Sequence, residues 1–101
     1  MAEDTLKFEW DPKKSESNKR KHGLTFEDAV QVFYDPLRRL EMEGDEHGEI
    51  RWRTVGEISG VLHIVSHTIR EEGQTDEIEI YRLISARRAT PREIRIFREA
   101  S

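Results

Sequence analysis

Ile50-Arg51-Trp52-Arg53-Thr54-Val55-Gly56-Glu57-Ile58-Ser59-Gly60-Val61-Leu62-His63-Ile64-Val65-Ser66-His67-Thr68 is the stretch that decides the fold. Residues 50–58 and 61–68 read as strands rich in β-branched side chains, and Ser59-Gly60 between them suits a two-residue hairpin. The second run is the most apolar in the chain and reads as a central strand. Residues 37–42 predict a strand before it, followed by a turn or loop at Gly44-Asp45-Glu46-His47-Gly48. After a polar turn over 71–76, residues 77–86 predict a further strand, with Ile78, Ile80 and Ile84 on one face and Tyr81 and Leu83 on the other. Near the start, Leu6, Phe8 and Trp10 alternate with Lys7 and Glu9, the period of a half-buried strand.

Helix signals fill the rest. Asp11 is a good N-cap, Pro12 suits the first helical position, and Gly23 can take the left-handed conformation that ends a helix. Between them lies no aliphatic or aromatic residue. A helix normally needs an apolar stripe to hold it on a core, so this one is either solvated or displays its cations to an anion. Thr25 caps a second helix, with Phe26, Ala29, Val30 and Phe33 on one side, and Asp35-Pro36 ends it. Thr90-Pro91-Arg92-Glu93 is a capping box that opens a C-terminal helix with Ile94 and Phe97 apolar. The order β-α-α-β-β-β-β-α predicts one α+β domain over residues 1–101. Its expected form is an antiparallel sheet of about five strands, with helices on one face.

The chain of 101 residues is polar, 38% charged and 35% hydrophobic, and has no cysteine, which excludes disulfides and thiolate metal sites. No apolar run approaches a membrane span and no signal peptide opens the chain, so a cytoplasmic protein is expected. The net charge of −4 argues against bulk nucleic-acid binding, yet charge is unevenly spread. Residues 13–22 hold five Lys or Arg against one acid, and residues 82–98 hold six Arg against one acid. The acids gather around 41–49 and 71–79, which could make one basic and one acidic face.

Among the four histidines, His63 and His67 share a strand face by their spacing. A third metal ligand is not evident, so a pair of hydrogen-bonded rings is the better account. No metal or other cofactor is expected. Nucleophile elbows and glycine-rich phosphate loops are absent. Arginine placement is the stronger signal. Arg51 and Arg53 share a strand face, and antiparallel neighbours could bring one of them together with Arg70 and Arg87. Arg82 and Arg88 lie in and just past the last strand. The guanidinium fork matches two phosphate oxygens and stays charged at any working pH. Ion pairing with the abundant glutamates is the plainer alternative for any one arginine.

Several segments together resemble the BrnT toxin family. They are Trp10-Asp11 with Lys14, Asn18, Lys21-His22-Gly23 and Phe26; Gly48-Glu49 with Arg51, Gly56, Thr68 and Arg70; and Arg82-Leu83-Ile84-Ser85-Ala86-Arg87-Arg88-Ala89-Thr90 with Glu93. The resemblance covers nearly the whole chain. It implies a RelE-like fold and a ribonuclease toxin of a type II toxin–antitoxin system that cleaves RNA without a metal and inhibits translation. It also implies a BrnA-like antitoxin partner, a ribbon-helix-helix DNA-binding protein, with the toxin as a homodimer or in a heterotetramer with that antitoxin. In such a ribonuclease, Arg51, Arg53, Arg70 and Arg87 would hold the phosphate, and His22 would either supply acid–base chemistry or, beside Gly23, cap the carbonyls of the last turn of its helix. Lys14, Lys21, Arg82 and Arg88 would bind the RNA backbone. The competing expectation is a non-catalytic module whose basic face grips a partner protein or nucleic acid.

Overall fold

The computed structural model describes residues 5–73 and 78–100. Along the chain run β1 (Thr5–Glu9), α1 (Pro12–His22), α2 (Phe26–Ala29) continuing into a 3-10 helix (Val30–Tyr34), β2 (Arg39–Glu46), β3 (Glu49–Ile58), β4 (Val61–Glu72), β5 (Ile78–Arg88) and α3 (Pro91–Glu99). The predicted element order holds. Part of the predicted turn at 71–76 lies outside the described residues, and β4 continues through Glu72.

The five strands form one sheet in the order β1-β5-β4-β3-β2. β2 to β5 make the antiparallel meander that the short turns dictate. His47-Gly48 and Ser59-Gly60 close two of its hairpins, both with positive φ at both residues, as a twist-matched two-residue turn requires. The expectation of a wholly antiparallel sheet is corrected at β1, which lies parallel to β5. The reason is topological. β1 is followed by two helical segments rather than a tight turn, so its chain can cross over and dock on the far edge of the sheet.

The helices also divide between two faces, which corrects the expectation that all lie on one. Phe26, Ala29, Val32 and Phe33 are buried against Val65, Leu83 and Ala86, with Phe8, Trp10 and Tyr81 packed around them. On the opposite face α3 sets Ile94 and Phe97 on a smaller cluster of Val55, Leu62 and Ile64. The strand period of two separates these sets: Val65 and Ile64 are neighbours in β4 and point opposite ways. The predicted second helix is regular only to Ala29 and then tightens into the 3-10 turn, which brings the Val32 carbonyl down on the sheet. A Cβ at Gly56 would lie 2.9 Å from that oxygen, so the strand carries glycine there. Asp35 then stitches the segment to β3, accepting hydrogen bonds from the Leu37 and Glu57 amides at 2.9 and 2.7 Å.

α1 is held by polar contacts. Asp11, Pro12 and Gly23 occupy their predicted cap positions. Asn18 is buried. Its carboxamide donates to the Leu24 and Ala86 carbonyls, each at 2.8 Å, and accepts from the Ala86 amide at 3.0 Å. β1 pairs with β5 only as far as Arg82, so Asn18 pairs the backbone of β5 beyond that point, in place of a strand. Ser15 adds a bond from the Phe26 amide at 3.0 Å.

Asn18→Ala would leave the Ala86 amide and carbonyl without a buried partner. The expected loss is about 2–4 kcal/mol in urea unfolding, against less than about 0.5 kcal/mol for Lys19→Ala on the exposed side of α1.

Candidate functional site

The face of the sheet opposite α1 and α2 carries the arginines. In register, Arg53 sits beside Ser66, Ile64 beside Arg87, and Thr68 beside Arg82. Alternation puts Arg51, Arg53, Arg70, Arg82 and Arg87 on this one face, with α3 covering its end near Ile64. Rows two residues apart along a strand are about 6.7 Å apart. Arg87, Arg53, Arg51 with Arg82, and Arg70 therefore descend the face in steps.

Each of these guanidiniums meets a carboxylate. Arg87 makes a two-pronged contact with Glu93, at 2.7 and 2.9 Å. Glu93 also accepts from the Thr90 amide at 2.8 Å, completing the predicted capping box. Hydrogen bonds from Arg87 hold the Glu93 carboxyl far below its usual range, down to about 2. Arg53 pairs with Glu41, its cross-strand neighbour, at 2.9 Å. Arg70 bonds Glu9 and reaches Glu72 at 3.2 Å. The Glu9 carboxyl is held low by that arginine. Arg82 approaches the same Glu9 at 3.9 Å. Arg51 lies 3.4 Å from Glu46 and 3.9 Å from Glu43.

Glu43, Glu41 and Ser66 were not singled out as site residues from the sequence, where Glu93 reads as part of the capping box and of the family pattern. Glu43 lies at a β-bulge: Met42 faces Trp52 and Gly44 faces Arg51, which leaves Glu43 as the extra residue. Its carboxylate accepts from the Ser66 hydroxyl at 2.8 Å in the middle of the arginine face. Gly44 reads in the sequence as the start of a loop, but β2 runs on through Glu46, which makes it a glycine inside a strand at the bulge.

The other predicted residues lie elsewhere. Arg88 is on the opposite face of β5 from Arg87 and faces His63 in register. His22, Lys14 and Lys21 line a hollow at the α1 edge with Ser17, Ile84 and Ser85. Among the described residues His22 hydrogen-bonds none of the arginines. Ser85 is nonetheless the cross-strand neighbour of Ser66, so this hollow adjoins the arginine face through one strand.

The two strand histidines are internally satisfied. His63 Nδ1 bonds the Val61 carbonyl at 2.8 Å. His67 is fully buried between the rings of Phe33 and Tyr81, at centroid distances of 5.1 Å. A carbonyl can only accept, so its Nδ1 carries the proton toward Thr68 O at 3.2 Å, and Nε2 accepts from the Thr54 hydroxyl at 2.7 Å. Among the described residues no three His, Asp or Glu side chains gather as a metal would need.

A sequence model described as the ribonuclease toxin BrnT of type II toxin–antitoxin systems matches residues 10–93. The chain belongs to the BrnT family. That span contains the arginine face almost entire, from Trp10 just past β1 through Glu93 in the first turn of α3. BrnT proteins are ribonuclease toxins of toxin–antitoxin systems, so RNA is the substrate class and an antitoxin the partner class of this family. No curated protein matches the chain. Among the described residues of this BrnT chain no helix is long and apolar enough to cross a membrane.

Burial pushes the His67 imidazole down from 6.5 to about 4, against the opposing pull of the Thr68 carbonyl. Because the folded value is the lower one, the unfolded chain binds the extra proton. The stability His67 contributes is therefore complete above about pH 6.5 and is lost as pH falls toward 4, about 3 kcal/mol over that window. The check is an NMR titration of the His67 ring in the folded protein, with an expected midpoint close to pH 4.

Proposed function

We propose that this protein cleaves RNA without a metal ion and that the arginine face is its active surface. One observation carries the reading: Arg51, Arg53, Arg70, Arg82 and Arg87 project from one face of one sheet. Cleaving RNA requires charge on the in-flight phosphate to be stabilised, and fixed guanidiniums supply positive charge from the chain itself. Arg51, Arg53 and Arg87 hold the reacting phosphate, and Arg70 and Arg82 hold the backbone on one side of it. Lys14 and Lys21, reached past Ser85, steer the strand along the α1 edge. His22, in the same hollow and off the arginine face, lines the path of the strand beside them and takes no part in the proton transfers.

The arginines begin in carboxylate partnerships, so an incoming phosphate exchanges with those carboxylates. Surface ion pairs contribute only about 0–1 kcal/mol each, so the exchange is accessible. The fold is taken as RelE-like, the work as inhibition of translation in the cytoplasm. The neutralising partner is a BrnA-like antitoxin, a DNA-binding ribbon-helix-helix protein whose acidic groups would meet the same cations. The toxin stands in it as a dimer or a heterotetramer. A second reading draws on those same carboxylate partnerships: a face already neutralised could grip a partner without breaking a bond.

Purified protein incubated with single-stranded RNA in excess EDTA separates the two. Cleavage is expected, and Arg53→Ala and Arg87→Ala should each reduce it by about 10²–10³-fold while circular dichroism shows a folded chain. RNA that stays bound and intact would establish the gripping module instead.

A further inference from the structure

Arginine is a poor proton acceptor, because its pKa exceeds about 12. The proposed reaction therefore lacks a group to take the 2′-hydroxyl proton, and His22 lies off the arginine face. The carboxylates on that face differ in how tightly they are bound. Glu93 is clamped by both prongs of Arg87, Glu41 by Arg53 at 2.9 Å, and Glu9 by Arg70. Glu43, in the middle of the row, is held more loosely than these three: among the described residues its ion-pair contact is the Arg51 Nε at 3.9 Å, and it accepts a hydrogen bond from a neutral hydroxyl. A carboxylate whose lone pairs are not spent on a guanidinium can still accept a proton.

Its placement is also built rather than incidental. The β2 bulge turns Glu43 onto the face. A second bulge lies in β5, where Ser66 faces Ser85 and His67 faces Leu83, so that Ile84 is left over. Both bulges flank Ser66, the residue that holds Glu43. Bulges of this kind re-aim side chains and are over-represented beside active sites. Arg51 stands on one side of Glu43, and Arg87 feels its charge from the other.

We infer that Glu43 is the general base of the reaction, oriented by Ser66, and this rests on the ribonuclease reading above. The Glu43 carboxylate takes the proton of the 2′-hydroxyl as that oxygen bonds to phosphorus. The bond from phosphorus to the 5′-oxygen breaks, and that oxygen takes a proton from solvent water. Glu43 then gives its proton to the hydroxide so formed. The products are a 2′,3′-cyclic phosphate and a 5′-hydroxyl. Arg51 and Arg87 stabilise the phosphate while the charge is transferred, and Ser66 is a positioning residue.

The test compares the full chain with Glu43→Gln, Glu43→Asp and Ser66→Ala. Gln keeps the shape and still accepts from Ser66, but it cannot take the proton. The expected result for Glu43→Gln is a kcat about 10²–10⁴-fold lower. Its binding of a 2′-O-methyl oligonucleotide, which cannot react, should be unchanged or tighter. Glu43→Asp should recover part of the rate, and Ser66→Ala should lower kcat less than Glu43→Gln does. Wild-type protein that cleaves while Glu43→Gln stays within a few-fold of it would overturn the assignment of the base alone. A Glu43→Gln loss confined to binding would overturn it too. Wild-type protein that binds RNA but never cleaves it would overturn the ribonuclease reading and the base with it.

Discussion

The carboxamide of Asn18 is the contact on which the rest of this architecture depends. β1 is too short to cover β5, and an uncovered strand edge is an open template for pairing with another chain. A side-chain amide can set an N–H and a C=O in the geometry of a peptide group, and Asn18 presents both to Ala86 while its second N–H bonds the Leu24 carbonyl. A helix is thereby fastened to a sheet edge with no apolar stripe. The consequence is functional. Since α1 needs no greasy face, its surface is free to carry Lys13, Lys14, Lys19, Arg20 and Lys21. Asp11 and Gly23 close its two ends. In this helix, buried polar satisfaction does the positioning that hydrophobic burial does elsewhere.

The arginine face shows the opposite economy, with charges kept partly wet and matched in place. The chain is acidic overall, yet its glutamates are not a separate acidic surface; many stand among the arginines. Glu41 opposite Arg53 and Glu93 before Arg87 let cations accumulate on one sheet face without mutual repulsion forcing them apart. Glu93 has a further part. One carboxylate caps α3 through Thr90 and clamps Arg87. Seating of the C-terminal helix and orientation of that guanidinium are thus a single event. α3 has no fully buried residue of its own, and this link adds to the packing of Ile94 and Phe97 that seats it. A phosphate that draws Arg87 away would loosen the helix start, and a helix held in place keeps Arg87 pointed along the face.

Local signals in the sequence were legible and distant ones were not. Caps at Asp11, Thr25 and Thr90, the turn at Ser59-Gly60 and the strand runs all act within a few residues, and each formed where the residues dictate. The strands proved longer than their apolar cores, since Asp45, Glu46, Arg70, Arg87 and Arg88 continue ladders whose hydrogen bonds are indifferent to side-chain polarity. The parallel docking of β1 was hidden because it pairs residues about seventy apart, with nothing local to announce it. Asn18 was visible as a polar residue in a polar helix, but burial of one side chain cannot be read from such a pattern. Of the site, the shared face of Arg51 and Arg53 followed from the strand period. The opposite placement of Arg87 and Arg88 followed from the same rule, once β5 was known to reach them.

The two bulges explain why this face holds a base among its cations at all. A regular antiparallel ladder would give every residue of β2 a partner in β3, and a glutamate on this face would meet the arginine directly opposite, as Glu41 meets Arg53. Inserting one residue at Glu43 breaks that rule, and the carboxylate falls between cross-strand positions. It comes to rest on Ser66 of the central strand, where the matching irregularity at Ile84 has already disturbed the neighbouring ladder. The distance of 3.9 Å to Arg51 is the outcome, near enough to share its field and too far to be neutralised by it. Regular pairing would have made a fully satisfied ionic surface, stable and inert. The departures from regularity leave the Glu43 carboxylate unclamped beside a row of guanidiniums, and acid–base chemistry on a phosphate requires that combination.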